Sequence, residues 1–314
     1  MTLPPARSSS SNPAVDAMPI DVDSVLGAEL AERQGSWSAT DVILYHLGLG
    51  AGVPHTDPAE LAYTFEGQLK VLPSFGVIPA SPMLFDMLKL PGMDVDLSKL
   101  LHGEQEMELY GPLPVNGVVG TSARIRNIVD KGKAALVVLE TVTRDARSDL
   151  PLVVNQFSAF IRGEGGFGDC DGDGDGARSA SPLPAPPARQ PDLEIDCRTL
   201  PQQALLYRLS GDMNPIHADP EFARKGGFDQ PILHGLCSYG MVLKAVVDSA
   251  LDGDVGRVGR YRPIRRSGIP RRNDHRPDVA GARGGVRRSA LQGPRHAGVV
   301  ERHHRGPLAR ATLT

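Results

Sequence analysis

Tyr207-Arg208-Leu209-Ser210-Gly211-Asp212-Met213-Asn214-Pro215-Ile216-His217 is the stretch that decides the reading of this chain. It holds a carboxylate, a carboxamide and an imidazole in one short segment punctuated by Gly211 and Pro215. Glycine and proline interrupt regular structure, so the spacing predicts a loop leaving a helix. Three polar groups on a short rigid loop can converge on one point, as the positioning of a water molecule requires. An aspartate near a histidine can set its tautomer or share a water with it. Taken alone, the segment also reads as an Asp/Asn-rich turn with an incidental histidine.

Residues further along narrow the choice. They include Asp219-Pro220, Gly226-Gly227-Phe228 and Pro231-Ile232-Leu233-His234-Gly235-Leu236-Cys237. This arrangement resembles the MaoC-like, or type 2, enoyl-CoA hydratases of the hot-dog fold. Their pattern is [YF]-x-L-[ST]-G-D-x-N-P-[LIV]-H with P-I-L-H-G after it. The resemblance implies an α+β double hot-dog: two repeats, each an antiparallel sheet wrapped around a long helix, here with the second repeat incomplete. It implies reversible, (3R)-specific hydration of a trans-2-enoyl-CoA to a 3-hydroxyacyl-CoA. Asp212 and His217 would activate the water and deliver a proton to the α carbon. Asn214 would hold the water or orient the pair, and the Gly235 N–H would stabilise the developing enolate. His234, Tyr207 and Cys237 read as packing residues. No metal or redox cofactor is implied, because coenzyme A arrives as part of the substrate. The expected partners are an acyl-CoA thioester and further hot-dog subunits, in a homodimer or heteromer.

Composition sets outer bounds. A chain of 314 residues with a formal net charge of -3 and 40% hydrophobic residues suits one or two globular domains. Cys170, Cys197 and Cys237 lack metal or redox spacing, which points to a reducing compartment, the cytoplasm, and no disulfide framework. No apolar run approaches the ~18 residues of a membrane span. The start of the chain is Ser/Pro-rich without an apolar core, and so reads as a disordered leader rather than a signal peptide.

The chain divides into a leader (1–18), an N-terminal hot-dog region (19–165), a Gly/Asp/Pro-rich linker (166–191), a truncated MaoC-like catalytic region (192–255) and an Arg-rich tail (256–314) expected to be disordered. The linker run Asp171-Gly172-Asp173-Gly174-Asp175-Gly176 imitates the start of a calcium loop. The twelfth position, which needs a bidentate glutamate, is Pro182, so the run reads as a solvated linker.

The two globular regions look like a duplication. Leu44-Tyr45-His46-Leu47-Gly48 parallels Leu206-Tyr207-Arg208-Leu209-Ser210, and Phe75-Gly76-Val77 parallels Tyr239-Gly240-Met241. On this register Gly50 stands in the place of Asp212, so the first copy is expected to be catalytically silent. The run Leu47–Gly52 lacks the spacing of a phosphate loop. Helices are expected over 39–48, 204–209 and 231–251, with a poorer match to the long helix over 73–90. Strands are expected over 136–143 and 152–161. Gly48, Gly50 and Gly52 are read as leaving room for a bulky acyl group. Similarity to actinobacterial MaoC-like proteins, including those of steroid side-chain breakdown, points the same way.

From Val255 to Thr314 there are fifteen arginines, no lysine and three acidic residues, and no alternating apolar strand is evident. Two readings of this composition are a basic tail and a shifted reading frame. Codons can be chosen for Tyr261 to His275 such that advancing one nucleotide yields I-G-R-F-A-G-V-V-F-P-G-E-T-I-T, the strand and turn that the family carries there. The lineage is that of a hydratase, whereas the activity of this chain depends on whether the altered C-terminal segment still supports the long helix. Three other classes stay open. A hot-dog thioesterase would release free thiol, a non-catalytic partner subunit would tolerate Asp212→Asn in its complex, and an Arg-tail nucleic-acid binder would show salt-sensitive retention on DNA. Tyr261 is the tail's only aromatic residue, which argues against base stacking.

Overall fold

The computed structural model describes residues 20–168, 195, 197–265 and 296–301; for 262–265 and 296–301 only the backbone is described. The leader, the calcium-loop look-alike and most of the tail lie outside these residues. In chain order the elements are α1 (Val22–Val25), β1 (Glu29–Trp37), α2 (Ala39–Gly48), α3 (Pro58–Thr64), α4 (Pro82–Met87), β2 (Leu100–Leu109), β3 (Gly117–Asp130), β4 (Ala134–Asp145), β5 (Pro151–Arg162), α5 (Gln203–Tyr207), α6 (Pro220–Lys225), α7 (Gly235–Ala250), β6 (Arg260–Arg265) and β7 (His296–Glu301).

One antiparallel sheet runs in the order β1-β3-β4-β5-β2-β6-β7. β4 and β5 form its centre because their β-branched and aromatic residues suit a pleated, buried surface. Val137, Leu139, Phe157 and Ile161 are fully buried there. The Thr121 and Thr143 hydroxyls meet at 3.0 Å across β3 and β4. Arg124 and Arg126 both reach Glu140, which satisfies a carboxylate that the sheet otherwise shields.

Helix α7 lies against β2, with Leu236, Tyr239, Leu243, Val246 and Val247 buried. It begins at Gly235 rather than at Pro231, where the sequence placed it. Residues 231–233 stay extended because the Ile232 N–H donates to Ile216 O at 3.2 Å and the Ile232 carbonyl accepts from His217. Gly253 ends the helix with φ +71° and an N–H donated to Val247 O, the expected glycine stop. The first region has no matching long helix. Pro73–Val77 forms a 3₁₀ turn and Pro82 starts the separate α4, because Pro79 and Pro82 interrupt the ladder.

The internal parallel read from the sequence is visible as a seam. α2 and α5 lie side by side, with the Tyr45 and Tyr207 rings 5.8 Å apart and both residues buried. A Cβ on Gly48 would sit 3.2 Å from Tyr207 Cα. Gly48 is therefore a close-approach residue, and Gly50 and Gly52 occupy positive φ (+87° and +90°) in the turn after α2. The expectation that these glycines leave room for substrate is corrected: they serve helix packing and chain reversal. A second link joins the regions where Lys244 on α7 pairs with Glu60 on α3 at 2.7 Å and with Asp248 at 2.8 Å.

The expected end of order at 255 is also corrected. Val258 and Tyr261 are buried, Leu109 N donates to Gly259 O at 2.6 Å, and Met107 pairs with Tyr261. β6 therefore extends the first region's sheet, and β7 pairs with β6. Arginines hid this strand from a hydropathy reading; one of them, Arg260, is held by Glu106 of β2.

Candidate active site

α5 delivers the chain into the loop Gly211–His217, and Gly211 turns it with φ +125°. Two short-range hydrogen bonds shape this loop. The Asn214 N–H donates to Asp212 Oδ1 at 3.1 Å, and Asn214 Oδ1 accepts from the Ile216 N–H at 3.1 Å. Asn214 thus caps the turn Pro215–His217 with its own side chain. Its carboxamide oxygen is committed to that cap. The cap shapes the turn that carries Asp212 and His217, and the carboxamide NH2 is still able to donate.

His217 is buried, and its Nδ1–H donates to Ile232 O at 2.8 Å. A carbonyl can only accept, so the neutral ring carries its proton on Nδ1 and presents the Nε2 lone pair. That Nε2 lies 3.9 Å from Asp212 Oδ2. Burial holds the His217 pKa below its ordinary value, partly offset by the Asp212 charge. A neutral imidazole and a carboxylate are both acceptors, so they do not bond directly. The gap is the right size for one water that donates an O–H to each, at roughly 2.8 Å per bond.

His234 sits where the sequence reading had only packing. Its ring stacks on His217 with centroids 3.6 Å apart and planes 24° apart. Its Nε2–H donates to the main-chain oxygen of Asp212 at 3.1 Å, and the opposite nitrogen Nδ1 is buried without a partner. Desolvation first, and then the nearby His217, push its pKa down to about 3. Its neighbour Gly235 is exposed and opens α7, so its N–H has no acceptor within the helix. That amide points from the positive end of a sixteen-residue helix, which favours developing negative charge. Tyr207 and Cys237 are buried as expected; Cys237 Sγ lies 3.5 Å from Gly48 O.

Asp212, His217 and His234 bring ligand-capable atoms within 4.8 Å of one another. Stacked imidazoles direct their in-plane lone pairs alongside each other rather than to a common point. The set suits proton traffic better than cation coordination. In the first region His46, which stands in the place of Arg208, is fully engaged: its Nδ1–H donates to Tyr63 O at 2.7 Å and Nε2 accepts from Leu72 N at 3.1 Å. It holds two chain segments together and faces no carboxylate of its own loop. Sequence reasoning missed His234 and Ile232. The shared P-I-L-H-G signature was the available signal for both.

Comparison with known proteins places the chain among hydratases. The MFE-2 hydratase 2 N-terminal domain pattern matches residues 36–163, and the MaoC like domain pattern matches residues 182–264. The chain is 47% identical over 246 residues to the enoyl-CoA hydratase ChsH3 of Mycobacterium tuberculosis, covering 78% of this chain and 83% of that protein. It is 40% identical over 240 residues to the peroxisomal enoyl-CoA hydratase 2 of Arabidopsis thaliana, covering 74% and 78%. The crystal structure of a MaoC-like dehydratase from Phytophthora capsici superposes with a TM-score of 0.64 at 31% identity, covering 79% of this chain and 84% of that one.

Proposed function

This chain belongs to the MaoC-like, type 2 enoyl-CoA hydratase family, and we propose that Asp212 and His217 carry the hydration of a trans-2-enoyl-CoA to a (3R)-3-hydroxyacyl-CoA. The observation that carries the assignment is the pair of facing acceptors, Asp212 Oδ2 and His217 Nε2, at 3.9 Å on a partly buried loop.

The water held between them attacks C3 as its proton passes to the pair. A proton is returned to C2, so that H and OH add across the double bond and nothing is oxidised or reduced. Negative charge builds on the thioester oxygen in between. The Gly235 N–H is the donor proposed for it, a contact typically worth about 3 kcal/mol of barrier. Asn214 keeps the carboxylate and imidazole in register through its two hydrogen bonds. Coenzyme A serves as the substrate's handle, and no separate cofactor enters the scheme.

A long or bulky acyl group, a steroid side-chain thioester included, is the proposed substrate class. The support is the first region, where a five-residue turn and a six-residue helix replace the long helix of a hot-dog repeat. A dimer or heteromer of hot-dog subunits is proposed for the assembly, and the exposed Leu205, Leu209 and Met213 offer apolar surface for it. Three cysteines without metal or redox spacing suit the cytoplasm. Among the described residues no helix is long and apolar enough to cross a membrane.

The test is loss of enoyl-thioester absorbance with short, long and steroidal trans-2-enoyl-CoAs, together with chiral analysis of the product. Free thiol release in place of hydration would assign a thioesterase instead.

A further inference from the structure

We propose that His234 is a positioning residue of the hydration reaction, holding Asp212 through its Nε2–H and His217 through its ring face. The proposal rests on the hydratase reading above and deepens it.

Two observations converge on one side chain. The Nε2···Asp212 O distance is 3.1 Å, so His234 ties down the backbone of the residue whose carboxylate faces the water. The ring lies over His217 with centroids 3.6 Å apart, and the Tyr207 ring stands 4.9 Å away at a tilt of 53°. His234 thus packs against both Tyr207 and His217 and limits rotation of the His217 ring. A residue that only filled volume would need none of these polar features, and an apolar side chain would cost less to bury than an imidazole at 1% exposure. His234 touches no reacting atom in this scheme and acts through its neighbours.

The clamp and the stack can be separated by substitution. His234→Phe keeps an aromatic face over His217 and loses the donor to Asp212. His234→Gln keeps a donor of similar reach and loses the stacked ring. His234→Leu loses both. The full-length chain and the three variants would be compared by kcat and KM with a trans-2-enoyl-CoA, and by nitrogen NMR of the His217 ring. We expect kcat to fall roughly tenfold in the Phe and Gln variants and roughly a hundredfold in the Leu variant, with KM little changed. The His217 signals should report a single Nδ1–H tautomer in wild type and His234→Phe, and mixed tautomers in His234→Gln and His234→Leu.

A Leu variant with near wild-type kcat and an unaltered His217 tautomer would overturn the proposal and leave His234 as core filler. A rise in KM alone would overturn it as well, by assigning His234 to substrate binding. If the wild-type chain hydrates no enoyl-CoA, the hydratase reading fails separately, because the His217 tautomer pattern still decides the positioning role without turnover.

Discussion

The carboxylate of Asp212 and the imidazole of His217 face each other at 3.9 Å with their acceptor atoms opposed, and each is pinned from behind by a backbone group. The Asn214 N–H holds Asp212 Oδ1, and the Ile232 carbonyl holds His217 Nδ1–H. The arrangement is poised for a molecule that donates twice, and water is the smallest such donor.

Removing either acceptor should therefore abolish most of the chemistry without unfolding the loop. Asp212→Asn and His217→Asn are each expected to lower kcat by roughly 10²–10⁴, with KM shifted much less. The double variant should fall little further than the worse single one, because the two groups act as a unit. Steady-state kinetics with a trans-2-enoyl-CoA decides this. A double variant whose loss multiplies the single losses would show two independent contributions instead.

Gly48 is one point of close contact between the two regions. A valine there would drive its branched carbons into the Tyr207 backbone, since a Cβ alone already comes to 3.2 Å. Overpacking at such a site costs about 1–3 kcal/mol. Because α5 leads directly into Gly211–His217, Gly48→Val should also reduce kcat. The denaturant midpoint and the turnover number should fall together; a stable but inactive protein would mean that α5 moves without loss of packing.

Much of the site was legible because its parts are close in sequence. Asp212, Asn214 and His217 share one turn, and the turn residues announced it. His234 was not legible as a clamp, because its bond to Asp212 joins positions 22 apart and depends on where α7 starts. The glycines after α2 misled for a related reason. Glycine signals close approach, but the sequence does not say to what, and the partner was Tyr207 rather than a ligand. The strand at Arg260–Arg265 escaped because its backbone pairing with β2 rests on Tyr261 and a salt bridge to Glu106, not on apolar alternation.

Buried neutral histidines predict how stability varies with pH. Burial, partly offset by its bond to Tyr63 O, lowers His46 to about 4, and His234 stands at about 3. An unfolded histidine takes its proton near 6.5. As pH falls below that value, the unfolded chain binds protons that the folded one refuses, so stability is full above about 6.5 and is lost on acidification toward the folded values. Each such histidine contributes a slope of about 1.4 kcal/mol per pH unit in that window. Urea midpoints measured from pH 7.5 to 5 should drop accordingly, and His46→Gln should flatten the slope while lowering stability at neutral pH. Equal midpoints at both ends would show that these rings are protonated in the fold.

Tyr261 offers a test of the order beyond α7. Its ring is fully buried beside Tyr239, with centroids 4.6 Å apart, while its hydroxyl finds no partner. Removing an unsatisfied buried hydroxyl is neutral or favourable by about 1 kcal/mol. Tyr261→Phe should therefore hold or raise the melting temperature, whereas Tyr261→Asp should lower it steeply by burying a charge on β6. Insensitivity to both changes would mean that β6 is not seated on β2 in solution.

The reading frame of the arginine-rich segment bears on the same helix. Val242 and Ala245 on α7 are only partly buried. In the shifted frame, Tyr261–His275 gives way to the apolar F-A-G-V-V-F segment, which has the alternation and aromatic content to cover such a face. A gene restored to that frame should yield a protein more stable by roughly 1–3 kcal/mol, the burial of one or two additional side chains. Turnover should rise with it, because α7 opens at Gly235, directly after His234. Parallel activity and melting measurements on the two forms decide the matter. Equal activity and equal melting would show that the present tail, through β6 and β7, already supplies what α7 needs, and that the basic segment is a tolerated replacement rather than a loss.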